Sequence, residues 1–355
     1  MMNYKTILRR VLLIIVILLI SSNIGMIVYS HSEEEIHWTM YLSGTGLNWE
    51  DIQWKDVLIP EIEKITEGRL KIDLLYLNEH PYADRDLLIA VSQREADLIN
   101  GTYTKWSGIE PRLSIVDMPM LVPANPGDLQ RIYLRILDEV FNEILINKWN
   151  SREVLTTWMG AQHFFFHDFY IENFDSLKGK KIRTFNPELA DLVRMLNGSP
   201  TQVDFTEVYT SLQLGALDGL ITGISNGYNH MYFENVKNMQ ATFICDCTNP
   251  VLINNDSWNE LPEDLQHILQ DYFNSKRDWY GMGQTLYNGL NLISSFSEYG
   301  LNVRPMSSKL RQEIVDRSFE GIWKPWIERC GEGGQETFDA ITNILRDEGF
   351  KVPTY

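Results

Sequence analysis

The sequence predicts an α/β protein built as two lobes. Strand-like and helix-like segments alternate over the first ~70 residues of the folded part and alternate afresh beyond Trp158. One helical stretch, longer than any other, comes late in the chain, from Pro262 to about Tyr299.

Taken in order, Ile36–Leu42 alternates loosely and predicts a first strand. Val57, Leu58, Ile62 and Ile65 fall at helical spacing over 54–65, and Gly68 follows as a C-cap would. Residues 69–77 return to strand periodicity; Asp84 opens a short helix to Ser92 as its N-cap, and 97–100 forms a third strand. After the proline-punctuated segment 118–123, residues 126–149 predict an amphipathic helix. Strands are expected at 154–159 and 163–167, then a glycine turn at Gly179, a strand over 180–185 and a helix from Pro187 to Leu196. Strand, helix and strand recur at 201–203, 206–215 and 217–221, another strand at 251–254, and two more helices at 309–330 and 335–348. In the long stretch only Gly281, Gly283 and Gly289 interrupt the helix formers. We place lobe I at 31–157 plus 248–287 and lobe II at 158–247 plus 288–355. Such an architecture suits a cleft binder, because ligands of open α/β sheets sit outside the carboxyl ends of strands.

The 355 residues are 44% hydrophobic and 22% charged, which excludes disordered and low-complexity classes. Acidic residues outnumber basic ones 48 to 31, a net charge of −17, and no Lys/Arg cluster offers a face for nucleic acid. Lys5, Arg9 and Arg10 precede an apolar run from Val11 to Tyr29 that Ser21, Ser22 and Asn23 interrupt. Residues 1–30 therefore predict an export signal, with Val28 and Ser30 positioned for cleavage before His31. The alternative is an uncleaved signal-anchor, since 11–29 is nearly long enough to span a bilayer. Cleavage leaves 28 basic against 48 acidic residues, a charge of −20. Three cysteines, Cys245, Cys247 and Cys330, make no disulfide framework, and structural or free thiols are expected.

Motifs of zinc proteases, P-loop proteins and dinucleotide binders are absent from the sequence. His163 and His167 lie four apart in an expected strand, so roughly 13 Å separates them, too far for one metal. No cofactor or metal is predicted.

The stretch from Gly179 to Gly219 carries Gly179-Lys-Lys-Ile-Arg183, Gly198-Ser-Pro-Thr201, Glu207-Val-Tyr209, Leu212-Gln213, Gly215 and Asp218-Gly219. Here the chain resembles the periplasmic solute-binding proteins of tripartite ATP-independent (TRAP) transporters, the C4-dicarboxylate-binding protein family. Leu261-Pro-Glu-Asp-Leu-Gln and the 59–72 segment add support, so the resemblance covers roughly 36–300. It implies a periplasmic-binding-protein-like fold with a ligand cleft between lobes, the long helix running across both, and no enzymatic activity. It further implies capture of a small organic acid outside the cytoplasm and delivery to a small and a large integral-membrane permease subunit. The Arg at the position of Arg183 holds the ligand carboxylate in that family, as a guanidinium can through two parallel N–H···O bonds. The resemblance also suggests Asn186, Phe205 and Thr222 in lobe II, and Thr102, Tyr103 and Asp84 in lobe I. Many members carry a second Arg after the strand corresponding to 154–159; here Gln162 or His163 stands in its place. The missing second Arg and the Phe run that follows suggest a monocarboxylate with an apolar or aromatic body. The alternatives are an exported hydrolase acting on an acidic or sugar substrate, or a membrane-tethered ligand-sensing lobe.

Overall fold

The computed structural model describes residues 35–352, apart from Asn125 and Asp204. The predicted export signal, 1–30, lies outside the described residues. Two sheets organise the chain, and the labels below follow chain order. β1 (Ile36–Leu42) leads into α1, a continuous helix over 49–65 with one π-turn at Trp54–Leu58, then β2 (Leu70–Leu75), α2 (Leu87–Ser92) and β3 (Leu98–Asn100). Two 3-10 turns, Tyr103–Gly108 and Pro111–Asp117, precede α3 (126–149) and β4 (Ser151–Trp158). Beyond a short crossing come β5 (His163–Phe166), β6 (Lys181–Thr184), α4 (Pro187–Met195), β7 (Ser199–Gln202), α5 (Val208–Gln213), β8 (Gly219–Thr222), α6 (Ile224–Asn229) and β9 (Asn238–Ala241). The chain then crosses back through β10 (Thr248–Asn254) and α7 (Asn255–Asn259) to the long helix α8 (Glu263–Ser294), which ends in a π-turn at Ser295–Tyr299. β11 (Asn302–Pro305), α9 (308–330) and α10 (Gly334–Asp347) complete it.

The first sheet has the order β2-β1-β3-β10-β4 and the second β11-β9-β5-β8-β6-β7. β1 and β3 run parallel, as do β6 with β7 and β8, while the crossing strands β10 and β5 are antiparallel to their neighbours. This is the expected α/β fold with two lobes.

Local chemistry explains where elements stop and start. Asn186 caps α4, its Oδ1 accepting from the Leu189 N–H at 2.8 Å, and Pro187 takes the first helical position, where no N–H is needed. Ser307 caps α9 in the same way, accepting from the Leu310 N–H at 3.2 Å. Phe164, Phe165 and Phe166 of β5 are fully buried because helices cover both faces of the second sheet. They are core residues, which corrects the expectation that this run shapes the ligand pocket.

α8 packs on β4 of the first lobe and on α6 of the second, as expected of a rigid back. Glycine allows the contact: a Cβ on Gly281 would strike the Trp158 ring, and one on Gly283 the Trp49 ring. The assignment of 288–355 to lobe II needs correction at its end. Phe338, Ile341, Ile344 and Leu345 form the buried face of α10, which packs on α3 and the Pro111–Asp117 turn of lobe I. Arg135 of α3 holds it there, donating to Glu348 at 3.1 Å and Asp347 at 3.4 Å. The C-terminal helices thus bridge the two lobes.

Candidate functional site

Between the lobes lies a cleft of about 790 Å³ of free space, its solvent-facing mouth included. Its walls are built from segments that follow the carboxyl ends of strands. Ser43, Gly44, Thr45 and Asn48 follow β1, Leu77 follows β2, Thr102 and Lys105 follow β3, Phe205 follows β7, and Thr222 ends β8. That is where an open α/β sheet leaves its ligand crevice. The two linkers that join the lobes form its floor. Met159 N–H donates to the Cys247 carbonyl at 2.9 Å, Gln162 N–H to Cys245 at 2.8 Å, and Ile244 N–H to Gln162 at 3.0 Å, so 159–162 and 242–247 run side by side.

Arg183 stands at the carboxyl end of β6, 4% exposed, in register with Thr201 of β7 and Leu220 of β8. Its guanidinium lies 5.5 Å from the centre of the Phe185 ring. The nearby Tyr232 phenol is pushed up to about 12 by burial, with the Arg183 charge acting in the opposite direction. Across the cleft Lys105 Nζ lies 3.9 Å from the Asp84 carboxylate. Burial pushes the Asp84 carboxyl up, against the pull of Lys105 and His80. The lobe I wall is fixed from behind by a buried relay. Thr102 Oγ1 donates to Asn249 Oδ1 at 2.7 Å, and Asn249 Nδ2 donates to Glu50 Oε1 at 3.1 Å. Burial, reinforced by the Asp51 charge, pushes the Glu50 carboxyl up.

Arg183, Phe205, Thr222, Gln162, Thr102 and Asp84 therefore line one cleft. Three other expected residues do not. Asn186 spends its side-chain oxygen on the α4 cap. Tyr103 is sealed in the lobe I core, donating to Glu153 at 2.6 Å with its ring edge-on to Trp106 and Phe141. His163 lines a separate small recess with Gly160, Ala161 and Asn288. Its Nδ1 accepts the N–H groups of Thr242 and Phe243 at 3.0 and 3.1 Å, and burial holds its imidazole down at about 3, with the Arg311 charge adding to the effect. Of the two candidates for the second-Arg position, only Gln162 reaches the cleft, its amide oriented by a 2.8 Å bond to the Gly160 carbonyl. The three thiols are free, and burial pushes them all up, which keeps them in the inert thiol form. His167 is held by the Asn235 and Leu217 carbonyls, and no metal-binding cluster of His, Cys, Asp or Glu occurs among the described residues. Asn48, Asn226, Tyr232 and Asn249 line the cleft without having been anticipated. For Asn48 a signal existed: Ser43-Gly-Thr-Gly-Leu-Asn48 is a polar, glycine-rich loop between a strand and a helix.

The linkers carry an unusual electrostatic load. Asp246 accepts the N–H groups of Gly160 at 3.0 Å and Cys247 at 2.7 Å, tying one linker to the other. Burial pushes its carboxyl up to about 7, and that of Glu153 also to about 7. Folded-state values above the usual carboxylate range mean that the folded chain binds protons the unfolded chain releases. Stability is then greatest at lower pH and declines as pH rises through these values. His163, depressed when folded, works in the opposite sense only below about pH 6.5, where the unfolded imidazole protonates. The melting temperature should therefore fall from about pH 6.5 to about 7.5 and level off once both carboxyls have ionised. Asp246→Asn, whose amide oxygen can accept the same two N–H groups, should flatten the decline. A level profile in the parent, or an equal slope in the variant, would contradict this assignment.

Two lobes hinged by paired linkers, with a half-open polar cleft between them and a cation buried in its wall, define a solute receptor. The sequence matches the family described as bacterial extracellular solute-binding protein, family 7, over residues 56–327, and the chain belongs to that family. The sialic acid-binding periplasmic protein SiaP of Vibrio cholerae serotype O1 is 23% identical over 248 residues, 70% of this chain and 76% of that protein. Among solved structures, a TRAP periplasmic solute-binding protein of Chromohalobacter salexigens with bound D-glucuronate superposes with a TM-score of 0.77 at 17% identity, covering 87% of this chain and 99% of that one. The Bordetella pertussis extracytoplasmic solute receptor DctP6, which binds pyroglutamic acid, superposes with a TM-score of 0.76 at 18% identity, covering 87% and 100%. The family consists of receptors for solutes, not enzymes.

Proposed function

We propose that this chain captures a small organic acid in the interlobe cleft, holds its carboxylate on Arg183, and delivers it to the small and large membrane subunits of a TRAP transporter. The buried guanidinium at the carboxyl end of β6 carries this reading. A chain of net charge −17 repels an anion at long range, so a local, desolvated cation must supply the attraction. Three similar proteins are named for sialic acid, D-glucuronate and pyroglutamic acid, each a carboxylic acid. Lys105, Thr102 and Asn249 from lobe I, with Gln162 and Thr222, complete the polar lining and meet the rest of the ligand. Closure proceeds about the linkers 159–162 and 242–247, where Gly160, at φ 95°, takes a conformation that other residues resist. Export through the 1–30 segment, with cleavage before His31, delivers the receptor outside the cytoplasm. Among the described residues no helix is long and apolar enough to cross a membrane.

The experiment is a thermal-shift screen of organic acids set against neutral sugars and amines. A ligand at a hundred times its Kd adds about 2.7 kcal/mol of stability, which is readily seen as a higher Tm. An acid should raise the Tm, be recovered chemically unaltered, and reduce the radius of gyration in solution scattering. A screen in which only neutral compounds or amines shift the Tm, or in which the acid is converted, overturns the reading.

A further inference from the structure

The long helix carries a feature that solute capture does not use. Trp279, Met282, Leu286, Leu290, Ile293 and Phe296 point outward from α8 and its terminal π-turn, each between 36% and 73% exposed. The opposite side of the same helix is buried at Tyr280, Gly281, Gln284 and Asn291, so the stripe is a continuous outer face. Between Asp278 and Glu298 the helix contains no charged residue, in a chain with 48 acidic residues.

We propose that this face is the interface between two copies of the chain, paired antiparallel about a two-fold axis at Leu286. The spacing argues for a second copy. Counted from Leu286, the apolar residues fall at −7 (Trp279), −4 (Met282), +4 (Leu290) and +7 (Ile293). The pattern is the same read in either direction. An isologous interface requires this, because residue i of one copy meets j of the other and j meets i. Leu286 then meets Leu286 of the other copy, Met282 meets Leu290, and Trp279 meets Ile293, along a seam of about 21 Å. A Cβ on Gly289 would meet nothing within 4 Å among the described residues, so at +3 the helix is free of bulk where a second helix approaches. The six side chains expose on the order of 600 Å² per copy, close to the ~800 Å² per partner of a standard interface and beyond the single scattered apolar residues of ordinary surfaces. The missing charges complete the case. Two chains of net charge −17 repel each other, and contact is least unfavourable where the surface is neutral. The face lies on α8, while the ligand cleft is lined by other elements, so pairing leaves the cleft free.

Sedimentation velocity across a wide dilution series tests the proposal. The parent should sediment as two chains and dissociate on dilution. Leu286→Glu sets two carboxylates face to face on the axis and should weaken association by roughly a hundredfold or more. Its circular dichroism and acid binding should match the parent, because Leu286 is 73% exposed and outside the cleft. Leu286→Cys should cross-link to its own copy under mild oxidation, above the background set by the three native thiols. A parent that is monomeric at every concentration overturns the proposal. So does a dimer that Leu286→Glu leaves intact, or a Leu286→Cys chain that cross-links no more than the parent. Association that appears only when 11–29 is retained, or binding of a monomer to phosphatidylcholine vesicles that Leu286→Glu abolishes, assigns the face to another occupant and also overturns it.

Discussion

Arg183→Ala should weaken acid binding by about thirtyfold to several thousandfold while leaving the fold intact. A carboxylate enclosed beside Arg183 has lost its water, and its attraction to the guanidinium is little screened. Removing one partner of a buried, hydrogen-bonded charge pair costs roughly 2–5 kcal/mol, and each ~1.4 kcal/mol is tenfold in Kd. Arg183→Lys should lose much of the same affinity, since an ammonium cannot reproduce two parallel N–H···O bonds. Calorimetry gives the affinities and circular dichroism the folding control. Binding within a factor of two of the parent in a folded Arg183→Ala protein would move the ligand's charge elsewhere, with Lys105 the next cation in the cleft.

Phe165→Ala should produce the opposite pattern, a large loss of stability with affinity preserved. Phe165 sits at the centre of β5, fully buried, opposite Leu220 of β8 and Met239 of β9, with its ring 5.0 Å from that of Phe233. Val208, Leu212, Leu217 and Ile224 complete the cluster around it. Truncating a buried Phe removes its transfer energy and leaves a cavity, together worth about 3–5 kcal/mol. Phe165→Leu should cost less than about 2 kcal/mol because most of the volume stays. The midpoint of urea unfolding should drop in that order, while the folded fraction keeps the parent's affinity. An affinity loss in Phe165→Ala without a stability loss would mean that the run 164–166 does reach the ligand.

Periodicity made the larger elements legible. The long helix was expected from Pro262 to Tyr299, and it runs from Glu263 through the π-turn ending at Tyr299. The Gly179–Gly219 block predicted β6, α4 and β8 nearly to the residue. Short elements escaped. β9 reads Asn-Met-Gln-Ala and β11 reads Asn-Val-Arg-Pro, with every β11 residue exposed, so neither carries an apolar alternation. Both exist because they pair with each other at the edge of the second sheet, in parallel, and pairing is not written in either segment alone. The site divides along the same line. Arg183 and Thr222 come from the resemblance to the solute-binding family, and both stand at the carboxyl end of a strand in the cleft wall. Asn186 and Tyr103 lie outside the cleft lining because a residue next to a strand end serves equally as a helix cap or a core hydrogen-bond partner, and only tertiary packing decides between them. Asn226, Tyr232 and Asn249 come from segments with no periodicity, and the chain brings them to the cleft only once both crossings are in place.

The clamp between Arg183 and a ligand carboxylate is tested most directly by a double-mutant cycle. Once the screen has supplied an acid, calorimetry on the parent and on Arg183→Ala is run with that acid and with its primary amide, which keeps the shape and removes the charge. The cycle separates the pair's own interaction from any general disturbance of the cleft. The account predicts that Arg183→Ala costs the acid at least thirtyfold while changing amide binding only a few-fold. Equal losses for acid and amide, or a loss for neither, would contradict it.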